Sequence, residues 1–261
     1  MKYALEIKNL TFKYNNKILF KNFNLNIVPN SNITFYSENN AGKSTLASII
    51  KGNIIVDNIL VFGKKPTKNK KEVFIIDINY NKYFKTKTID ETIEKEINKH
   101  NIYLKDVSNK INTFLKAFNI NRKKQVKHLN SNEKIIIVIL LALLTNTKLL
   151  IIDNILEYLD YIEKDKILKI LNKFNEKESL TILNLTTNIE EALYAKELII
   201  YKNKKIIIKG KVKEVFKEIE LLEQNKIELP FIISLSNKLM FYNLIDKIYY
   251  NKEQLVNAIW K

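Results

Sequence analysis

The chain has 261 residues, enough for one large domain or a domain with a small appendage, and 46% of it is hydrophobic, ample for a buried core. It has no cysteine, which excludes a disulfide scaffold, a thiolate metal site and a cysteine nucleophile together. Net charge is +16, yet Arg122 is the only arginine, and a Lys/Asn/Ile bias of this kind follows from AT-rich codon usage. Readers of nucleic acid lean on Arg forks and exposed aromatics, so nucleic acid is not the expected partner; the charge leaves room for a modest attraction to an anionic membrane face.

Residues 4–9 and 19–27 alternate as two antiparallel strands joined by the Tyr14-Asn15-Asn16-Lys17 turn, and the alternation from Met1 on is unlike a signal peptide. Residues 33–36 read as a buried strand and 45–50 as the first turns of a helix. Short strands are expected at 54–56 and 59–62, a solvated lysine-rich loop at 64–71, and a buried strand at 73–78. The texture then changes to helical spacing over 88–128, through Ile89, Ile93, Ile97, Val107, Ile111, Phe114, Leu115 and Phe118. Residues 133–144 form a mostly buried helix whose apolar run is too short for a bilayer, which takes about 20 residues. A buried parallel strand, 149–152, ends in Asp153; an amphipathic helix at 162–174, a strand at 180–185 and a helix at 189–195 follow. Residues 198–201 and 205–209 make a hairpin around Asn203, and past Gly210 a helix to about 223 leads into a tail, 225–261. In that tail Met240, Phe241, Tyr242 and Trp260 are expected to pack the tail or a dimer contact rather than to bind a cofactor.

Between the strand at 33–36 and its helix lies Ser37-Glu38-Asn39-Asn40-Ala41-Gly42-Lys43-Ser44-Thr45. A phosphate-binding loop has a glycine, four residues, then Gly-Lys-Ser/Thr; here Ser37 takes the first slot. Backbone N–H groups at the helix start would cradle phosphate oxygens, Lys43 would reach the outer phosphates, and Ser44 would ligate Mg²⁺. Asn40 suits a position with positive φ. Asp153, after four aliphatics, would complete the Mg²⁺ shell; its bland counterpart is a strand-end cap.

Alternating strands and helices around such a loop define an α/β P-loop nucleotide-hydrolase core. The order of the pieces resembles the ATPase subunits of ABC transporters along essentially the whole chain. That resemblance implies an antiparallel β subdomain, a helical insert at about 86–146 within an ATP-binding domain at 1–224, and a small C-terminal extension at 225–261. It places Tyr14 where an aromatic stacks on adenine, although Tyr14 equally suits covering a hairpin. It places a signature loop at Leu129-Asn130-Ser131-Asn132-Glu133 and a dimer loop at Leu159-Asp160, where Asp160 serves equally as a helix cap. Gly210-Lys211-Val212-Lys213-Glu214-Val215-Phe216, Ile227-Glu228-Leu229-Pro230-Phe231 and Asn251-Lys252-Glu253-Gln254-Leu255-Val256 are similar to the C-terminal extension of energy-coupling-factor (ECF) ATPases, and residues 79–84 with Thr88-Ile89 to that group's loop after its glutamine.

Departures from the family pattern fall on the catalytic devices. The glutamine that senses the γ-phosphate falls at Ile78, the water-polarising glutamate at Asn154, the switch histidine at Thr187, and the signature's paired glycines at Ser131 and Asn132. Asn can orient a water without taking its proton, and Glu133 brings negative charge toward a triphosphate. The resemblance therefore implies an ATP-binding subunit, with ATP and Mg²⁺, whose own site hydrolyses little or nothing. It would pair as a heterodimer with an intact second ABC ATPase, under a transmembrane coupling subunit and a substrate-binding membrane subunit, for uptake of vitamins or metal ions. Its place would be peripheral, at the cytoplasmic face of the membrane, with Tyr80, Tyr83 and Phe84 as an apolar docking patch. The alternatives are a hydrolysis-competent ABC ATPase, or a soluble ABC protein acting on ribosomes or nucleic acid.

Overall fold

The computed structural model describes residues 2–14 and 17–260. The middle of the Tyr14–Lys17 turn, Asn15 and Asn16, lies outside them.

Strands β1 (Leu5–Tyr14), β2 (Lys17–Ile27) and β4 (Ile59–Val61) form an antiparallel sheet in the order β2-β1-β4. A second sheet runs β5-β6-β7-β3-β8-β9, built from β3 (Asn32–Ser37), β5 (Val73–Ile76), β6 (Leu149–Asp153), β7 (Thr181–Thr186), β8 (Glu197–Lys202) and β9 (Lys205–Lys211). Its neighbours are parallel except at the β8–β9 hairpin. Runs of aliphatics dictate this, because a parallel sheet is covered on both faces. Along β6, Leu149 and Ile151 enter the core shared with the antiparallel sheet and α1 (Lys43–Lys51), while Leu150 and Ile152 enter the core on the other face.

That other core holds α2 (Ile89–Lys99), α3 (Leu104–Ala117), α4 (Ser131–Leu144) and α5 (Tyr161–Glu178). Helix α4 is buried without a break from Ile135 to Leu144, and each fully buried aliphatic of this size contributes about 1.5–3 kcal/mol. A third core joins Leu198 and Ile200 of β8 to α6 (Val212–Val215), α7 (Ile219–Gln224), α8 (Phe231–Phe241) and α9 (Lys252–Ile259).

Several expectations need correction. Residues 54–56 form no strand: the Asn53 and Ile54 N–H groups bond Ser48 O in the C-terminal cap of α1, and Ile55 is exposed. Gly210 belongs to β9, paired with Leu198, and the helix expected from there to 223 is broken between α6 and α7, where Phe216 turns into the third core. Tyr80, Tyr83 and Phe84 form no exposed patch; all three pack on the helical core, and Tyr83 stacks on Phe74 at 5.5 Å. Ile78 lies outside β5 and is the exposed apolar side chain there. In the tail, Phe241, Tyr242 and Trp260 are exposed and do not pack on the tail itself, which leaves the dimer-contact expectation for them.

Candidate functional site

The C-terminal ends of β5, β6, β7 and β3 lie side by side, and the chain leaving each carries Ile78, Asp153-Asn154, Thr187 and Ser37 in turn. Ligands of open α/β sheets bind along that edge. A cleft of about 430 Å³ opens here, lined by Tyr14, Lys17, Leu19, Asn39, Asn40, Gly42, Lys43, Ser44, Thr45 and Asn154.

The loop is shaped by its few permissive residues. Asn40 adopts φ 59 and Gly42 φ 102. The φ strains any residue but glycine there, and a Cβ on Gly42 would also crowd Phe20 Cζ at 3.0 Å. Ser37 is better tolerated than its sequence position suggests. It ends β3 paired with Tyr201, is fully buried beneath the loop, and has no positive φ that would call for glycine. Ser44 is exposed toward the cleft and Thr45 half-buried. Helix α1 starts at Lys43 without a side-chain cap, so its first N–H groups remain available as donors.

Lys43 Nζ donates to Ser37 O at 3.0 Å and Glu38 O at 2.8 Å. Burial pushes this ammonium below the usual lysine range, while Asp153 and Glu157 pull it back up. Burial pushes the Asp153 carboxyl up, against a hydrogen bond from Ser44, with Asp77 adding to the rise and Lys43 opposing it. Asp153 Oδ1 is buried with no hydrogen-bond partner among the described residues. Such an acceptor is costly unless something satisfies it. A divalent cation beside Ser44 is the partner these groups fit: two hard oxygen ligands, one of them an anion left without a donor.

Asn154 sits at φ 51, its N–H donating to Leu185 O at 2.8 Å. Its Oδ1 accepts from the Thr187 N–H at 3.0 Å and from the Thr187 hydroxyl at 3.2 Å. Both lone pairs are taken, so Asn154 lacks even the acceptor with which to orient a water. Ile78, 63% exposed, offers no polar atom.

The signature segment stays out of this cleft. Asn130 caps α4, and Glu133 closes the box: Glu133 N donates to Asn130 Oδ1 at 2.8 Å, and Asn130 N donates to Glu133 Oε2 at 3.0 Å. Lys124 pairs with Glu133 at 2.7 Å, which offsets the charge that Glu133 brings to this segment. Ser131 is exposed, and Asn132 Nδ2 donates to Glu163 Oε2 at 2.8 Å. Asp160 caps α5 through Glu163 N at 2.8 Å. Tyr14 is 56% exposed at the cleft mouth, opposite Lys17 in the hairpin register. Sequence reasoning missed Lys17 and Asn39 in the cleft, the Lys124–Glu133 pair, and the 2.6 Å Lys202–Glu38 pair that braces the loop. Asn39 had a signal in its place within the loop run, and Lys17 in its place across the turn from Tyr14.

A model of the ABC transporter family matches residues 20–157, more than half of the chain. Over 271 residues the chain is 27% identical to the energy-coupling factor transporter ATP-binding protein EcfA1 of Mesomycoplasma hyopneumoniae, spanning 98% of this chain and 97% of that protein. The protein of the same name from Oenococcus oeni is 24% identical over 269 residues, at 98% and 97% coverage. Among solved structures, cbiO1 of Clostridium perfringens, part of the ABC transporter complex cbiONQ, has the same fold: TM-score 0.72 at 22% identity, over 86% of this chain and 94% of that one. The chain belongs to the ABC transporter family, on the fold of that family's P-loop ATPase domain.

Proposed function

We propose that this chain is the ATP-binding subunit of an ECF-type importer and holds Mg-ATP in its cleft with little or no hydrolysis there. The observation that carries the reading is the pairing of a glycine-shaped loop at the start of α1 with the orphaned Asp153 Oδ1 beside Ser44. Tyr14 would cover the base, Asn40, Gly42, Lys43, Ser44 and Thr45 would surround the phosphates with Ser37 supporting the loop from beneath, and Ser44 with Asp153 would hold Mg²⁺. Asn154, Thr187 and Ile78 leave the attacking water without a base and the terminal phosphate without its sensors. The ECF assignment is supported by relatives named energy-coupling factor ATP-binding proteins that match nearly end to end.

On that reading residues 1–224 form the ATP-binding domain and 225–261 an extension seated on β8. The subunit pairs with an intact second ATPase, in which Asn130, Ser131, Asn132 and Glu133 form the signature side and Asp160 the dimer loop. The pair works beneath a transmembrane coupler and a substrate-binding membrane subunit for vitamins or metal ions. A peripheral place on the cytoplasmic face fits, since among the described residues no helix is long and apolar enough to cross a membrane.

Titration calorimetry tests the cleft. Wild type should bind ATP only with Mg²⁺, and Lys43→Ala should bind about ten- to a hundredfold more weakly, the worth of one charge-assisted contact. Equal affinities would overturn the site. A phosphate-release assay should detect negligible turnover by the isolated chain and by Asn154→Glu; turnover at ordinary enzyme rates, about 1 s⁻¹ or more, would overturn the silent-site half.

A further inference from the structure

The residue that replaces the catalytic base has an orientation of its own. A backbone N–H can only donate, so the end of the Asn154 amide facing Thr187 must be its oxygen, at 3.0 Å from Thr187 N. The Thr187 hydroxyl at 3.2 Å fills the second lone pair. The NH₂ end therefore points the other way, and it has no hydrogen-bond partner among the described residues, while Asn154 lines the cleft with Gly42, Lys43 and Ser44. Main-chain geometry holds the amide there, through φ 51 and the bond from Asn154 N to Leu185 O.

We propose that Asn154 is a phosphate-ligating residue: Thr187 turns its NH₂ into the cleft, where it donates to the terminal phosphate of a nucleoside triphosphate and favours triphosphate over diphosphate. The proposal rests on the nucleotide reading of the cleft. A carboxylate at this position repels a terminal phosphate; a neutral donor makes a charge-assisted hydrogen bond to it. The exchange thus converts a place that accepts protons into one that retains the unhydrolysed nucleotide. Thr187 acts through Asn154 as a positioning residue.

The test compares Mg-ATP and Mg-ADP affinities by calorimetry, with thermal melts to confirm folding. Asn154→Asp has the same shape and tolerates a left-handed backbone. It should lose at least about tenfold in ATP affinity while ADP changes by less than about threefold. Thr187→Ala keeps the N–H and loses the hydroxyl, so its ATP:ADP ratio should fall several-fold; Thr187→Ser, with both donors, should keep the wild-type ratio. A clasp with only a structural role would alter melting and leave the ratio untouched, and an unchanged ratio in Asn154→Asp would overturn the proposal. If Asn154→Asp does not fold, equal ratios in Thr187→Ala and Thr187→Ser would do so. Wild type binding neither nucleotide would overturn the cleft reading itself, a separate and recognisable result.

Discussion

Replacing Asp153 by Asn should make the nucleotide-free protein more stable and remove its response to Mg²⁺. Asp153 Oδ1 is buried without a partner, and burial pushes its carboxyl up despite the Ser44 hydrogen bond and the nearby Lys43 charge. A buried acceptor left unsatisfied costs about 1–3 kcal/mol, more when charged. The amide is the same size and removes the charge, but it keeps a polar atom in the same place and withdraws the anion from Lys43. A net gain of about 1 kcal/mol is therefore reasonable, which is about 2–4 °C in Tm for a chain of this length. The sign follows from linkage. A carboxyl whose folded pKa is raised costs nothing below the ordinary carboxylate range, where both states are protonated, and its cost grows as pH rises past that range. The gap between variant and wild type should open from about pH 4 to about pH 7. With ATP at about 100 times Kd, wild type should gain about 2.7 kcal/mol when Mg²⁺ is added, and the variant should gain no more with Mg²⁺ than without. Thermal melts at both pH values, with and without ATP and Mg²⁺, read all of this. An Asn variant that melts below wild type in nucleotide-free buffer near neutral pH would refute the reasoning, as would an undiminished Mg²⁺ response.

Tyr83→Ala should cost about 2–3 kcal/mol in urea unfolding, because the ring stacks on Phe74 and lies on the helical core; a loss under about 0.5 kcal/mol would restore Tyr83 as a free docking residue. Lys51 is pushed down to about 8 by burial, with Lys82 and Lys70 adding, so between about 8 and 10.5 the unfolded chain binds the extra proton and wild-type stability gains a rising slope. Lys51→Met should lack that contribution in denaturant titrations across the window, and identical slopes would sink the idea.

Most of the fold was legible because the parallel strands are short unbroken aliphatic runs, as at Leu149-Leu150-Ile151-Ile152, and the helices keep a clean period, as at Ile89, Ile93 and Ile97. Asn40 was legible for a related reason: with 4 glycines in the chain, left-handed positions pass to asparagine, seen also at Asn9, Asn22, Asn30, Asn101, Asn119 and Asn203. Contacts between distant residues left no periodic trace. Lys124 reaches Glu133 across a turn, and Thr187 meets Asn154 only because β6 and β7 are neighbours. The aromatic loop misled for a comparable reason, since Tyr80, Tyr83 and Phe84 beside lysines read as a surface patch until Phe74 is seen to cover one ring. At 54–56 a β-branched run was outweighed by the cap of α1, which uses the N–H a ladder would need.

Several of the residues that depart from the family pattern are paired where they stand, although Ile78 is exposed and makes no polar contact. Loss of a residue by drift leaves its former partners unpaired, and unpaired buried polar groups cost stability. Here Ser37 sits buried in an ordinary strand conformation, and Glu133 is held by its capping box and by Lys124. Asn154 Oδ1 accepts from both the N–H and the hydroxyl of Thr187. Among the described residues, Asp153 Oδ1 is the acceptor of the strand-end group left buried and unpaired, and a divalent cation is a partner it suits. On the proposed reading, a cleft in which Asn154 Oδ1 is taken up by Thr187 while Asp153 Oδ1 stays open to a cation suits holding nucleotide better than hydrolysing it.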